Sequence, residues 1–451
     1  MRLKHLFLLC LLSCLAICAH GQTIITAVAG DSTHGYTGDG GAATDAELKS
    51  PSGIAIDKAG NIFFSDQNAS CIRKIDTHGI ITTVAGTGVT GYSGDGGMAT
   101  DAKIYWPTGV AVDNKGKLFI ADQFNNVIRQ VDLVSGIITT KAGNNGIGYG
   151  GDGGPATAGT FWHPNDVGID TFGNVYVADR DNHVIRKIAT NDTIYTIAGT
   201  NAPGYGGDGG PATLAQLDFP SGICVDRAGN VFVADFYNSR VRKIDRKGNI
   251  STVVGNGVIG YSGDGGAATN ASIYYTSALT VDSVGQIYFT DYSNYRVRKV
   301  DTAGIISTIA GNGVNGYNGD SIAATTAELT SIEGVAVDTG GNVYLADFYN
   351  GRIRKVAPSA SKPSLRVQEG GTLAALSVFP NPAGSRVSVS CPGIGAAFSL
   401  RIVNMWGITV FTTVISAKQQ ELNISSLPAG VYSIIVNSQG KRLEQTLNII
   451  K

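Results

Sequence analysis

Six aspartates sit in one repeated glycine-rich phrase: Asp39, Asp95, Asp152, Asp208, Asp264 and Asp320, each inside a version of GYxGDGG. A carboxylate beside backbone carbonyls is calcium chemistry, because calcium takes oxygen ligands from both. One carboxylate per loop is sparse for that ion, and an aspartate between glycines also fixes a turn by accepting backbone amides. The turn role is the expectation, and calcium at these six positions is the one cofactor candidate. A phosphate-cradling loop would need a single copy followed by a helix, so repetition argues against it. For acid–base chemistry the chain after position 21 offers four histidines: His34, His78, His163 and His183. No GxSxG, HExxH or paired cysteines accompany them.

The elements that position these residues follow from the period. The phrase aspartate recurs every 56 or 57 residues, and three more columns keep step with it. One column runs Asp57, Asp113, Asp170, Asp226, Asp282, Asp338. A second runs Asp66, Asp122, Asp179, Asp235, Asp291, Asp347, and a third Arg73, Arg129, Arg186, Arg242, Arg298, Arg354. Residues 107–143 read as one unit: GVAVD, LFIAD, VIRQVD and GIITTKAG are four β-rich runs separated by turns. Four short antiparallel strands per repeat make a propeller blade, and six blades must stack around an axis because no blade can bury its own faces. The last copy stops at KVAPS without a fourth strand, whereas TIITAVAG at 23–30 is an orphan that matches GIITTVAG at 79–86. The N-terminus is therefore expected to supply the outermost strand of the sixth blade. Repetition also makes the aspartate and arginine columns structural, the arginines as interblade partners, since an active site needs asymmetry.

The 451 residues carry 61 glycines, only 15% charged residues and a formal charge of −1, which offers no basic footprint for nucleic acid. Residues 1–21 have a positive start, an apolar centre and a small-residue end, so they read as a secretory signal cleaved after Gly21. That apolar run is too short for a membrane span. Cys71, Cys224 and Cys391 remain after it, odd in number and widely spaced, with no disulfide framework; Cys224 is expected to be a small buried residue.

PSGICVDRAGNVFVADFYNSRVRKID at 220–245 resembles NHL repeats, and that resemblance extends over about residues 23–357. It implies an all-β, six-bladed β-propeller of four-stranded blades, assigned to residues 22–357, of a kind used mostly as a binding platform. Residues 358–375 have no copy in the repeat and read as a linker. Residues 376–451 contain short β-rich runs spaced for a small β-sandwich. FPNP (379–382), NMWG (404–407), LPAGVY (427–432) and the terminal NIIK are similar to the type A C-terminal sorting domain of the type IX secretion system. The resemblance implies export by that machinery through residues 376–451, to the medium or the outer cell surface.

Function is then expected where the repeats differ. Alternating strand direction puts the linkers and the turns between second and third strands on one face. Linker ends place Trp106, Phe161, Trp162 and His163 there, and the turns add Phe124, Arg180, His183, Phe236, Tyr237, Tyr292, Tyr295, Phe348 and Tyr349. Such a face suits an extracellular glycan, protein or peptide ligand, or simply packs linkers together. The reading is a non-enzymatic binding module. The alternative, carried by relatives with this fold, is a lyase or lactonase, with or without a metal ion, that acts on an extracellular substrate through His163, His183 and a nearby aspartate.

Overall fold

The computed structural model describes residues 23–358 and, in the C-terminal part, 377–379, 385–390, 398–404, 409–415, 419–428, 430–438 and 441–449. The signal reading at 1–21, Cys391 and all but Pro358 of the 358–375 linker lie outside these residues. The chain divides into two compact units, with the boundary between Pro358 and Ser359.

The first unit is a ring of six antiparallel sheets. Blade 2 shows the pattern: Pro107–Val112, Lys117–Asp122, Val127–Asp132 and Ile138–Ala142 pair in sequence order from the axis outward. Blades 1, 3, 4 and 5 repeat it over 51–85, 164–198, 220–254 and 279–310. Turns on the face away from the linkers are tight and sealed by the Asp57 column: Asp57 accepts from the Ala59 and Asn61 amides, both at 2.9 Å. Blade 6 takes Ile332–Val337, Val343–Asp347 and Arg352–Pro358, and its fourth strand is Thr23–Ala29. That strand pairs antiparallel, Ile25 opposite Val356 and Ala27 opposite Arg354, so the seam lies where the orphan strand indicated. The first strand of blade 1 touches those of both blade 2 and blade 6, which closes the ring.

Each junction between blades holds one apolar cluster. At the seam, Ala346 and Ile353 of blade 6 pack with Ile54, Phe64 and Ile75 of blade 1. Phe64 is completely buried, which contributes roughly 2–3 kcal/mol relative to an exposed ring. Phe161, expected on the ligand face, belongs to this layer: it is fully buried in the cluster between blades 2 and 3. Its column is Leu48, Ile104, Leu217, Ile273 and Leu329, all fully buried, so the position is a core position in every blade.

The glycine-rich linkers do more than connect. Each runs along the outer edge of the blade it enters. Before blade 2, the Gly96 and Ala99 amides donate to the Ile138 and Gly136 carbonyls, and the Ile138 amide donates to Gly97. Gly94 has φ of 96°, and a Cβ there would sit 2.6 Å from that of Ala102, so the phrase needs glycine to fold against itself. Asp95 then accepts from Arg129 at 2.8 Å, while the Tyr92 ring lies 5.2 Å from the same guanidinium and its hydroxyl meets Thr140 at 2.8 Å. The same arginine reaches Asp122 on the second strand at 3.5 Å. The aspartate and arginine columns are thus one repeated clamp between a blade and its incoming linker, and not pairing from blade to blade. All six arginines are buried.

The second unit, taken alone, is a small sandwich. Ser377–Phe379, Arg386–Ser390 and Gln419–Asn423 form one sheet; Phe398–Asn404, Thr409–Ile415, Gly430–Ser438 and Lys441–Ile449 form the other. Val387, Val389, Leu400, Ile402, Ile434 and Leu447 fill a common core between them.

Candidate functional site

The axis of the ring opens into a cavity of about 500 Å³, walled by the first strands of all six blades. Its mouth lies on the linker face and is formed by one column, the residue after each second-strand aspartate: Gln67, Gln123, Arg180, Phe236, Tyr292 and Phe348. Three successive blades supply planar polar side chains and the next three supply rings. With six blades, Gln67 stands across from Phe236, Gln123 across from Tyr292 and Arg180 across from Phe348.

Around this inner ring runs a second aromatic tier. The residue just before the first strand is Trp106, His163 and Phe219 in blades 2 to 4, and Tyr275 holds the same column in blade 5, four residues ahead of Leu279–Val281; all four are left-handed, with φ of 57°, 51°, 53° and 59°. A bulky residue in that region carries strain of order 1–3 kcal/mol and needs the surroundings to hold it. Here the preceding blade does so: the His163 amide donates to Asn126 Oδ1 at 3.0 Å and the Phe219 amide to His183 Nδ1 at 3.2 Å. The rings join into two runs. Trp106 stacks on Phe124 at 5.3 Å, and Phe124 meets His163 edge-on at 5.1 Å. Farther round, His183, Phe219, Tyr237, Tyr275, Phe236 and Tyr292 touch in succession at 4.7–6.0 Å.

Of the residues expected on this face, Trp106, Arg180, Phe236, Tyr292, Phe348 and Tyr349 line the cavity. Phe124, Trp162, His163, His183, Tyr237 and Tyr295 do not. Among these, Trp162 and Tyr237 are exposed, whereas His183 is buried and Tyr295 is the left-handed cap after its turn. His163 Nδ1 and Asp181 Oδ2 are 2.6 Å apart, and Asp181 is the nearest carboxylate to Arg180, with Oδ1 4.0 Å from Nε. Burial lowers the pKa of His183, and its Nδ1 accepts the Phe219 amide, so it is held as a neutral structural acceptor.

Sequence reasoning missed Phe219, Tyr274 and Tyr275, although Phe219 and Tyr275 share a column with Trp106 and His163. It also missed two acids in the wall. Glu333 stands where blades 1, 2, 4 and 5 carry Ser52, Thr108, Ser221 and Ser277; Asp166 stands where the others have glycine or alanine. A Cβ on Gly109 would lie 2.0 Å from Asp166 Oδ1, so glycine on blade 2 makes the room for that carboxylate. Asp166 accepts from the Val167 and Ile223 amides at 2.8 and 2.9 Å, and burial pushes it up to about 7. Burial likewise pushes Glu333 to about 7, against the Tyr292 hydrogen bond and the positive charge of Arg180. Cys224, expected in the core, is partly exposed and lines the cavity, with its thiol pKa raised by burial.

The six phrase aspartates each face an arginine at 2.7–2.9 Å. In blade 1 the other oxygen of Asp39 accepts the Thr83 amide at 3.0 Å. A guanidinium at that distance is thus the partner of each phrase carboxylate in this structure. Among the described residues, no group of three or more His, Cys, Asp or Glu is gathered to hold a metal ion. No helix among them is long and apolar enough to cross a membrane.

The Teneurin NHL domain model matches residues 21–93, 89–150, 203–260 and 260–318, together more than half of the chain. The NHL repeat model matches 329–356. The model for the secretion system C-terminal sorting domain matches 377–451. Teneurin-1 of Homo sapiens is 34% identical over 236 residues, covering 47% of this chain and 8% of its own length, so the chain spans a small part of that relative. A structural genomics protein of unknown function from Bacteroides thetaiotaomicron has a similar fold, with a TM-score of 0.55 at 20% identity over 74% of this chain and 76% of that one. An auxiliary nutrient binding protein from the same species gives a TM-score of 0.55 at 15% identity, over 75% and 76%. The chain belongs to the NHL-repeat β-propeller proteins and ends in a secretion system C-terminal sorting domain.

Proposed function

We propose that this protein is an exported binding module that takes an extracellular ligand at the linker-face mouth of its propeller. The observation that carries the reading is the run of four strained residues, Trp106, His163, Phe219 and Tyr275, on one rim of an otherwise sixfold ring. Strain of that kind collects at recognition and catalytic sites, and rings give contact area at little rotamer cost. The name of the auxiliary nutrient binding protein with this fold suits the same role. The mature protein, probed on glycan and peptide arrays, should bind a defined ligand set, and Trp106→Ala should weaken it. Binding that responds only to Lys58→Ala and other changes on the opposite face would refute the choice of face.

Export through the type IX machinery belongs to the same proposal, supported by the sorting-domain match and the signal-like residues 1–21. Truncation at Ser361 should leave folded propeller in the periplasm, and normal surface delivery of that truncation would refute it. A second reading, an enzyme of lyase or lactonase type, draws on the His163–Asp181 pair, whose carboxylate orients the imidazole as in a general base. Ligand turnover abolished by His163→Ala would favour it.

A further inference from the structure

Resting on the channel-mouth reading above, we infer that the mouth takes an acidic pyranose, a uronic-acid residue of a glycan, with its ring against the aromatic arc and its carboxylate on Arg180.

The mouth is divided by chemistry. Phe236, Tyr292 and Phe348 form one arc and Gln67, Gln123 and Arg180 the other. A pyranose has that division: C–H bonds on a face that packs on rings, and hydroxyls at its edge. Planar amide and guanidinium side chains pair with neighbouring oxygens in two-point fashion. The cavity, about 500 Å³, is of the size that takes a small molecule, and its wall is made of the six first strands, with Asp166 and Glu333 among their side chains.

Arg180 sets the charge. Its guanidinium makes no hydrogen bond among the described residues: its ion pair with Asp181 is long, 4.0 Å from Nε to Oδ1, the other Asp181 oxygen is on His163, and Glu333 in the wall is near enough to feel its charge. It is also placed in advance, lying 5.2 Å over the Phe219 ring. An arginine held by stacking with its donors unmet is a carboxylate receptor, and the five equivalent positions hold no second cation. Gln67 adds amide capacity on the same arc, while Gln123 holds Asn165 Oδ1 at 2.8 Å with its amide nitrogen and leaves its carbonyl.

An extended peptide is the weaker fit. Strand addition needs an open sheet edge, and the linkers already hydrogen-bond along the outer edges, as at Ile138, Ile194, Ile250 and Ile306. A cationic ligand would meet Arg180 at the entrance.

The mature full-length protein should be titrated calorimetrically with galacturonate and glucuronate disaccharides and with their neutral galactose and glucose counterparts. The uronates should bind at least about tenfold more tightly. Arg180→Gln should erase that preference by weakening the uronates far more than the neutral sugars, and Arg180→Lys, a point charge without the fork, should restore part of it. Phe236→Ala should weaken both classes. Melting curves of each variant verify the fold. Equal affinity for acidic and neutral sugars, or a preference that survives Arg180→Gln, overturns the carboxylate assignment while leaving the mouth in place if Phe236→Ala still weakens binding. A ligand found only among peptides overturns the sugar assignment. Binding indifferent to both Phe236→Ala and Trp106→Ala overturns the channel-mouth reading itself.

Discussion

The perimeter of the propeller and its mouth are built from the same six repeats by opposite rules. At the perimeter every blade has the same clamp: a phrase tyrosine over a buried arginine, a phrase aspartate on its guanidinium, a linker along the outer strand. At the mouth, one column reads Gln, Gln, Arg, Phe, Tyr, Phe, and the wall carries acids in only two blades. Repetition stabilises, because each copy solves the same edge problem. Variation recognises, because a ligand of lower symmetry than the ring needs unequal neighbours.

That contrast can be broken. Removing residues 23–30 takes away the closing strand with its buried Ile25 and Ala29, and leaves Arg352–Pro358 as an open edge. The expected loss is the largest available, several kcal/mol, because burial, strand pairing and edge protection all go together. Calorimetric melting indistinguishable from the intact protein would mean the ring does not depend on this seam.

Arg242→Ala comes next. It leaves Asp235 buried without the guanidinium 3.1 Å away and frees Asp208, at an expected cost of about 3–5 kcal/mol. Urea unfolding measures it, and ligand affinity should stay within about twofold. If affinity fell in proportion to stability, perimeter and mouth would not be separable.

Trp106→Gly reverses the pattern. Glycine occupies φ of 57° freely, so stability should change by less than about 1 kcal/mol. Losing the ring should cost about 2 kcal/mol of binding, roughly thirtyfold. A large drop in melting temperature would make this tier a packing feature.

The smallest effect on binding is in pH. Glu333, raised from 4.5 to about 7, is favoured as the neutral acid in the folded protein. Its contribution to stability is therefore complete below about pH 4.5 and is lost as pH rises to about 7. Asp166, in the same wall, titrates with the same sign, and Tyr292 and Arg180 are the other groups that bear on Glu333. Above pH 7 an ionised Glu333 offsets part of the attraction of Arg180, so a uronate should bind a few-fold more weakly at pH 8 than at pH 6. Glu333→Gln should flatten the binding difference and part of the stability slope. A slope of opposite sign would remove this assignment.

Much of this was legible from the residues. The 56-residue period dictates six equal blades, and the missing fourth strand after Arg354 with the spare TIITAVAG dictates the seam. The clamp was not legible, although Asp95 and Arg129 keep a constant separation of 34 residues in every copy. A fixed separation within a repeat also fits residues that never meet, and only the path of the linker along the outer strand makes them partners. Phe161 shares aromatic character with its neighbours Trp162 and His163, and only its column of leucines and isoleucines marks it as core. Phe219 and Tyr275 were overlooked for the converse reason, since a left-handed backbone leaves no mark on composition. Glu333 and Asp166 do leave a mark in the sequence, as the places where columns of small or hydroxyl residues turn acidic.

The seam also has a consequence in time. Ile25 and Val356 are partners, yet more than three hundred residues are synthesised between them. Thr23–Ala29 must wait for this partner until the third strand of the last blade exists, and joining such distant segments is the slow kind of step in folding. A chain interrupted anywhere before Arg352 keeps Thr23–Ala29 without its mate. Closure thus reports that translation of the ring has finished, and an incomplete copy stays marked by two sticky margins that a protease or chaperone can read.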